Sequence, residues 1–235
     1  MSSKSPSPRI QRKRQQKNTL LLDHAMQIII EKGVSSLTMR TLAQKVDMTP
    51  GALYRYFPSK GHIIGALGNR TLSLYTKTIH HTVEQVEITH QNESPYLKSL
   101  ITLVSISKSY FDISFQHYEN YRILNLIMVN ETRYMTNPPD YTTFMEGAVG
   151  LLKFTALQYE KAAKLGALEK GDYFSYALSV FGLLQGCLQL VKFGEEIPDL
   201  INPKHVHRHS LFTHLIGLGA RKNDAHSAIS VLYKA

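Results

Sequence analysis

Cysteine is almost absent from this chain of 235 residues, in which Cys187 is the single example. One thiol cannot form an intramolecular disulfide, and it cannot supply a cysteine-based metal cluster. This composition is typical of proteins from a reducing compartment, so we expect a cytoplasmic location. Because Cys187 lies in an apolar stretch, we do not expect it to act as a nucleophile or a redox sensor.

Long hydrophobic runs are also missing. No stretch of 18 residues is purely apolar, and the closest approach, residues 177–194, contains Gln185, Gln189 and Lys192. This stretch predicts a buried or interface helix rather than a membrane span. The N-terminal 18 residues are basic, but no apolar segment of the signal-peptide kind follows them. We therefore expect neither secretion nor a membrane partner.

Sequence patterns for cofactor or metal chemistry are not found either. The chain has no Gly-rich phosphate loop, no nucleophile elbow and no paired zinc motif. Histidines cluster in "HVHRH", residues 205–209, and at His80 and His81, but they lack a nearby carboxylate or cysteine partner. We therefore expect no metal, no cofactor and no catalytic residue. The alternative is an all-α enzyme that carries a basic head incidentally.

Acidic residues are scarce in the first third of the chain. Residues 1–70 contain 12 Lys or Arg and 3 Asp or Glu, whereas residues 71–235 contain 15 of each kind. The whole net charge of +9 therefore belongs to the first third, where a localised positive field attracts a polyanion, either nucleic acid or an anionic membrane surface. The alternative is a basic tail that serves only solubility.

The first 15 residues are predicted to form a basic disordered arm, since they are rich in Ser, Pro, Lys and Arg. Five cations within residues 9–17 are expected either to reach DNA phosphates or a minor groove or to belong to a plain solvated tail. They are Arg9, Arg12, Lys13, Arg14 and Lys17.

The chain does contain one helical apolar pattern after another, with no strand-type alternation and no repeat of 20–50 residues. Its 43% content of hydrophobic residues is enough for a packed core. The predicted fold class is therefore all-α, in one large domain or two smaller ones.

Residues 38–57 have the pattern of two short helices joined by a tight turn. Thr38 is a candidate N-cap, and an apolar stripe at helical spacing follows it. The stripe ends at Asp47 and Met48, which are predicted to form the turn. Aspartate tolerates the left-handed backbone conformation that such a turn needs better than most residues do.

The second short helix is predicted over residues 50–57. Thr49 is its candidate N-cap, and Pro50 occupies the first helical position, where the missing N–H costs nothing. Leu53 and Phe57 are expected to point inward. Two helices joined in this way form a helix-turn-helix, whose second helix fits the major groove of DNA.

The segment "GVSSLTMRTLAQKVDMTPGALYRYFPSKGHII" closely resembles the DNA-binding domain of the TetR family of bacterial repressors. The resemblance covers about residues 16–70, and "LYRYFPSK", residues 53–60, is its most specific part. The chain departs from the family pattern where Asp47 replaces a common turn glycine and where Gly61 replaces an acidic residue.

The resemblance implies an N-terminal helix-turn-helix three-helix head over residues 16–65, followed by a larger helical ligand-binding and dimerisation domain over residues 66–235. It also implies a set of DNA-binding residues. Those expected to face the DNA are Arg40, Pro50, Gly51, Ala52 and Tyr54, joined by Arg55. Those expected to hold phosphates are Thr38, Thr49, Tyr56 and Lys60. For the tyrosines, packing inside the head is the alternative role.

The middle helices contain many large soft or aromatic side chains, which line either an ordinary core or an apolar pocket. The candidate pocket residues are Tyr110, Phe111, Phe115, Tyr121, Met128, Tyr141, Phe144 and Met145. Together they favour an apolar or aromatic inducer. The candidate dimer interface lies on helices at 172–194 and 204–221, with Phe181, Gly182, Leu184, Gln185, Leu188, Leu211 and Leu215.

Taken with the resemblance, these patterns predict a homodimeric, ligand-responsive transcriptional regulator, a repressor released from a near-palindromic operator in double-stranded DNA by a small molecule. The alternative is a helix-turn-helix regulator or adaptor that responds to a protein partner.

Overall fold

The computed structural model describes residues 7–129 and 138–233 of the chain, and the described part is all-α. Its helices are α1 (Pro8–Lys32), α2 (Met39–Lys45), α3 (Pro50–Tyr54), α4 (Lys60–Thr89), α5 (Pro95–Gln116), α6 (Tyr118–Val129), α7 (Pro138–Lys164), α8 (Tyr173–Gln189), α9 (Val191–Glu196), α10 (Pro203–Gly217) and α11 (Lys222–Leu232). A 3₁₀ turn (Val34–Ser36) follows α1. The predicted fold class is confirmed.

The chain divides into two compact units. Unit 1 contains Met1–Thr71 and Arg122–Phe144, and unit 2 contains Leu72–Tyr121 and Met145–Ala235. The sequence placed a single boundary at residue 65 and did not anticipate the second segment of unit 1. That segment packs closely on α4. A Cβ atom at Gly68 of α4 would overlap the Ile127 side chain and contact the Phe144 ring.

Unit 1 is built around α1, whose apolar stripe is buried. Leu21, Ala25 and Ile29 are fully buried, as the spacing of the sequence predicts. Gly33 ends the helix with a φ of +79°, a conformation that favours glycine.

The prediction of a disordered arm over residues 1–15 is wrong for residues 8–15, because α1 already begins at Pro8. Proline suits the first helical position, and the Arg, Lys and Gln residues that follow it are good helix formers. Residues 1–6 of the predicted arm lie outside the described residues.

Unit 2 is a helical bundle whose core is contributed mainly by α5, α7, α8, α10 and α11. The helix predicted over residues 172–194 is interrupted at Leu190, so that α8 and α9 are separate helices. The last predicted helix ends at Gly217 rather than residue 221, and α11 follows it without having been predicted. Ala225, Ala228 and Ile229 bury one face of α11 in the core.

Within the described residues, the stretch Tyr173–Glu196, which comprises α8 and α9, is long and apolar enough to cross a membrane by length and composition. A core helix passes the same test, so the observation is weak support for a membrane location. Two of the fully buried residues of the unit 2 core, Ala177 and Leu188, belong to this stretch.

Candidate functional site

The helix α2 begins with a capping box, so the prediction that Thr38 is its N-cap is confirmed. The Thr38 hydroxyl accepts a hydrogen bond from the Thr41 backbone N–H at 3.0 Å, and the Thr41 hydroxyl accepts one from the Thr38 N–H at 2.9 Å. The Thr41 hydroxyl also lies 2.9 Å from the Ser36 carbonyl oxygen. These bonds fix the start of α2 and leave the Arg40 side chain exposed.

Asp47 forms the turn between α2 and α3 and has a φ of +50°. It is the one non-glycine residue of the described ranges with a positive φ. The backbone N–H of Met48 reaches back to the Ala43 carbonyl at 2.9 Å, which closes the end of α2. The prediction that aspartate accepts the left-handed conformation here is confirmed, at a cost of about 1 kcal/mol relative to glycine.

The helix α3 is shorter than predicted and ends at Tyr54 rather than residue 57. Thr49 caps it by accepting a hydrogen bond from the Ala52 N–H at 3.2 Å, and Pro50 occupies the first helical position. The N–H groups of Tyr56 and Phe57 both turn back to the Leu53 carbonyl at 2.9 and 3.0 Å. The chain therefore tightens into a turn before Pro58, which cannot continue a helix.

The inward and outward faces of α3 separate as predicted. Leu53 is fully buried and Phe57 nearly so, whereas the Tyr54 side chain is 49% exposed. Gly51 and Arg55 are exposed as well, and Tyr56 is half-buried. An aromatic hydroxyl and a guanidinium thus stand on the surface of a small helix held by buried anchors, and their contact with DNA stays a prediction.

The basic first half of α1 is joined to the end of α3 by a hydrogen bond. An Arg14 guanidinium N–H donates to the Arg55 carbonyl oxygen at 3.4 Å. Arg9, Arg12 and Lys13 are exposed on the same helix. These cations are therefore displayed on a helix rather than on a disordered arm.

Lys60 has a partner that the sequence did not reveal. Its Nζ donates a hydrogen bond to the Val34 carbonyl oxygen at 2.7 Å, which ties the start of α4 to the 3₁₀ turn after α1. Burial lowers the pKa of this ammonium. The predicted phosphate contact of Lys60 stays a prediction, and the hydrogen bond to Val34 adds a structural role to it.

The candidate pocket residues fall in both units. In unit 2, Tyr110, Phe111 and Tyr121 are buried, Phe115 is half-buried and Met145 is exposed. In unit 1, Phe144 is buried, Tyr141 is half-buried and Met128 is exposed. The exposure of the two methionines does not fit their predicted place in an enclosed pocket. They lie on outward-facing positions of α6 and α7.

Tyr110 has the surroundings of a core residue with a satisfied polar tip. Its hydroxyl accepts a hydrogen bond from Gln185 Nε2 at 3.2 Å, and its ring packs edge-on against Tyr75 and Phe181. The Tyr75 hydroxyl in turn pairs with Ser114 at 2.8 Å. Burial raises the pKa of both phenols, so they remain neutral hydrogen-bonding groups.

Two surface cavities lie within unit 2. One, of about 340 Å³, is lined by His205, Arg208, His209, Phe212, His226 and Ile229. The other, of about 280 Å³, is lined by Phe115, which is the one candidate pocket residue found in either cavity, and by Val191, Gly194, Glu195, Pro198, Ile201, Asn202, Pro203 and Lys204. Over residues 7–129 and 138–233, no group of three or more His, Cys, Asp or Glu side chains is placed to hold a metal ion.

The predicted dimer interface is corrected for its four leucines. Leu188, Leu211 and Leu215 are fully buried and Leu184 nearly so, because α8 and α10 pack against each other within unit 2. The predicted Gly182 is exposed instead, together with Phe174 and Leu178 on the same face of α8. Phe181 and Gln185 are half-buried, and their contacts include Tyr110.

The match to a known protein family lies in the head of the chain. Residues 21–67 match the family described as bacterial regulatory proteins, tetR family. Over 59 residues the chain is 41% identical to the HTH-type transcriptional repressor KstR of Mycobacterium tuberculosis, a match that covers 25% of this chain and 27% of that relative. The chain thus matches about a quarter of the length of its curated relatives.

Solved structures resemble the chain over most of its length. A bacterial regulatory protein in the tetR family from Rhodococcus RHA1 aligns with a TM-score of 0.64 at 17% identity, over 87% of this chain and 97% of that one. AibR, in complex with isovaleryl coenzyme A and operator DNA, aligns with a TM-score of 0.56 at 14% identity, over 92% and 97%. These likenesses show the fold. The match over residues 21–67 confirms the resemblance of the head to the TetR family.

Proposed function

We propose that this chain, whose head resembles the TetR family, is a cytoplasmic transcriptional regulator that represses by binding operator DNA as a homodimer. The observation that carries the proposal is the construction of the head. Two short capped helices are joined through the positive φ of Asp47. Arg40, Tyr54 and Arg55 are exposed, and Arg14 of the basic half of α1 contacts the Arg55 carbonyl. This arrangement suits a helix that enters the major groove while flanking cations approach phosphates.

A DNA-binding experiment tests the proposal. The wild-type chain selects a preferred duplex from a random pool, and its affinity for that duplex and for a scrambled one is measured at fixed salt. We expect Arg40→Ala and Tyr54→Ala to weaken binding to the preferred duplex about 10- to 100-fold, because each base contact contributes about 1–3 kcal/mol. Binding to the scrambled duplex should fall much less.

The matched control for charge removal is Lys170→Ala, because Lys170 is exposed in unit 2, away from the head in the sequence. It should leave both affinities unchanged. Failure of the wild-type chain to prefer any duplex would contradict the proposed function, and equal losses on both duplexes would remove Arg40 and Tyr54 from the base-reading group.

The proposed inducer is a small apolar or aromatic molecule, or one with an apolar acyl group. The buried aromatic residues and their polar tips support it, and AibR, which has the same fold, is described with isovaleryl coenzyme A. Short- and long-chain acyl thioesters, their free acids and planar aromatics should be compared for release of the chain from its preferred duplex. Release by none of them would favour the alternative of a controlling protein partner.

The proposed dimer uses the exposed face of α8. Phe174, Leu178 and Gly182 lie four residues apart on that helix, and Ile216 is exposed on α10. An isologous pairing of two such faces would present two reading helices to the half-sites of a near-palindromic operator. Sedimentation of the wild-type chain at micromolar concentration should therefore give the mass of two subunits.

A further inference from the structure

The connection between α8 and α10 exposes large apolar side chains on an acidic segment, residues 193–200, which we call the acidic hook. Phe193 is 57%, Ile197 45% and Leu200 80% exposed. The hook also contains Glu195, Glu196 and Asp199, all exposed, and no basic residue. Three exposed apolar side chains in eight residues are typical of a contact surface.

The hook is held in a defined conformation by its own backbone. The Ile197 N–H donates to the Phe193 carbonyl at 2.9 Å, and the Leu200 and Ile201 N–H groups donate to the Ile197 carbonyl at 3.1 Å. Gly194 permits this fold, because a Cβ there would lie 2.9 Å from the Ile201 carbonyl oxygen. A preformed projection loses little conformational entropy when it binds.

The cavity of about 340 Å³ between α10 and α11, which we call the basic pocket, has the complementary character. Phe212 and Ile229 supply apolar walls, and the Phe212 and His226 rings lie 6.4 Å apart, edge to face. The other lining residues are His205, Arg208 and His209, and no carboxylate lines the cavity. No residue of the hook lines it either, so the hook of the same chain does not fill it.

We propose that the acidic hook of one copy of this chain seats its apolar side chains in the basic pocket of a second copy. The apolar residues of the hook match Phe212 and Ile229. Its carboxylates match the Arg208 guanidinium by charge and can accept hydrogen bonds from imidazole N–H groups of the lining. Two-fold symmetry makes the contact reciprocal, so each dimer contains two hook–pocket pairs. The inference rests on the proposed homodimer and extends it to a second surface beyond α8.

A charge-exchange experiment tests this pairing. One variant reverses the charges of the hook (E195K/E196K/D199K), and a second variant makes the pocket acidic (H205E/R208E/H209E). In a homodimer of either variant, both hook–pocket pairs contain like charges. Its dissociation constant should therefore be at least about tenfold higher than that of the wild-type dimer. When the two variants are mixed, both contacts of the heterodimer regain opposite charges, and native mass spectrometry should detect heterodimers in preference to either homodimer.

The matched control is E84K/E93K/E146K, which reverses three exposed charges elsewhere in unit 2 and should dimerise like the wild type. Circular dichroism melting establishes that each variant is folded. A hook that binds another protein or ligand would leave the dissociation constant of both reversed variants unchanged, which overturns the inference. Loss of both homodimers without recovery on mixing overturns it too. A wild-type chain that is monomeric throughout contradicts the proposed dimer itself, and the two failures are thereby distinguished.

Discussion

The ammonium group of Lys60 joins two parts of the head that are 26 residues apart in sequence. Its hydrogen bond to the Val34 carbonyl replaces water for a partly buried charge. Asp47 is the contrasting case, because its backbone conformation could be predicted from local sequence. Its tolerance of a left-handed φ follows from residue type, and the structure confirms it at +50°. The partner of Lys60 follows from no local pattern, because it depends on how α1 and α4 meet.

Substitution of Lys60 by Ala should have two separable effects. Loss of the charged hydrogen bond to Val34 should lower the free energy of unfolding by about 1–2 kcal/mol, as measured in urea. If Lys60 also holds a phosphate, log–log plots of DNA affinity against salt should become shallower by about one unit per subunit. Lys170→Ala serves as the control in both assays. A stability loss with an unchanged salt slope would leave Lys60 with the structural role alone.

At the scale of single elements, α10 contains the histidines of "HVHRH", residues 205–209, which are a weak metal signal in the sequence. The structure gives one of them, His207, another role, and His214 of the same helix has a similar one. His207 is fully buried, with Nε2 2.9 Å from the Ser107 hydroxyl and Nδ1 2.7 Å from the Tyr233 hydroxyl, and its ring stacks on Phe111. His214 Nε2 lies 3.0 Å from the Tyr159 hydroxyl. The two imidazoles therefore tie α10 to its neighbours.

These two histidines should make unit 2 less stable in acid. Burial lowers the pKa of each to about 4 from 6.5, and for His207 the nearby Lys108 charge adds to the effect. Between about pH 6.5 and 4 the unfolded chain binds more protons than the folded one, so the free energy of unfolding falls as the pH falls through this window. The loss is on the order of 3 kcal/mol per histidine.

His207→Gln should remove about half of that pH dependence and also lower the stability at pH 7, because the stacking on Phe111 is lost. Urea unfolding at pH values from 4 to 7 measures both effects. His81→Gln changes an exposed histidine of α4 in unit 2 and is the matched control. Equal pH profiles for the two variants would contradict the role of buried His207.

At the scale of the whole molecule, the positive charge is concentrated in the first third of the chain. The excess of nine positive charges lies within residues 1–70, and the remainder is neutral. The structure changes how the most basic part is presented, because residues 8–17 belong to α1. A helix displays its cations at fixed spacing, so they suit the phosphates beside a groove better than the floor of a narrow minor groove.

The triple substitution R9Q/R12Q/K13Q should therefore weaken binding to all duplexes alike. The slope of log affinity against log salt should become shallower by up to about three units per subunit, since each lost phosphate contact contributes nearly one. K153Q/K170Q/K222Q removes the same charge from exposed positions of unit 2 and should leave the slope unchanged. A loss of affinity for the preferred duplex alone would instead indicate that α1 contacts bases.

The sequence by itself determined the local elements of this protein: the all-α class, the caps at Thr38 and Thr49, the Asp47 turn and the buried anchors Leu53 and Phe57. Capping, turn geometry and helical periodicity depend on residues within a few positions of one another. Only the tertiary structure decided which apolar faces meet. Leu211 and Leu215 were expected at a dimer interface and lie in the core, while α11 and the exposed hook were not anticipated. An apolar stripe indicates that a helix face is covered, and its partner is selected by packing between segments far apart in the chain.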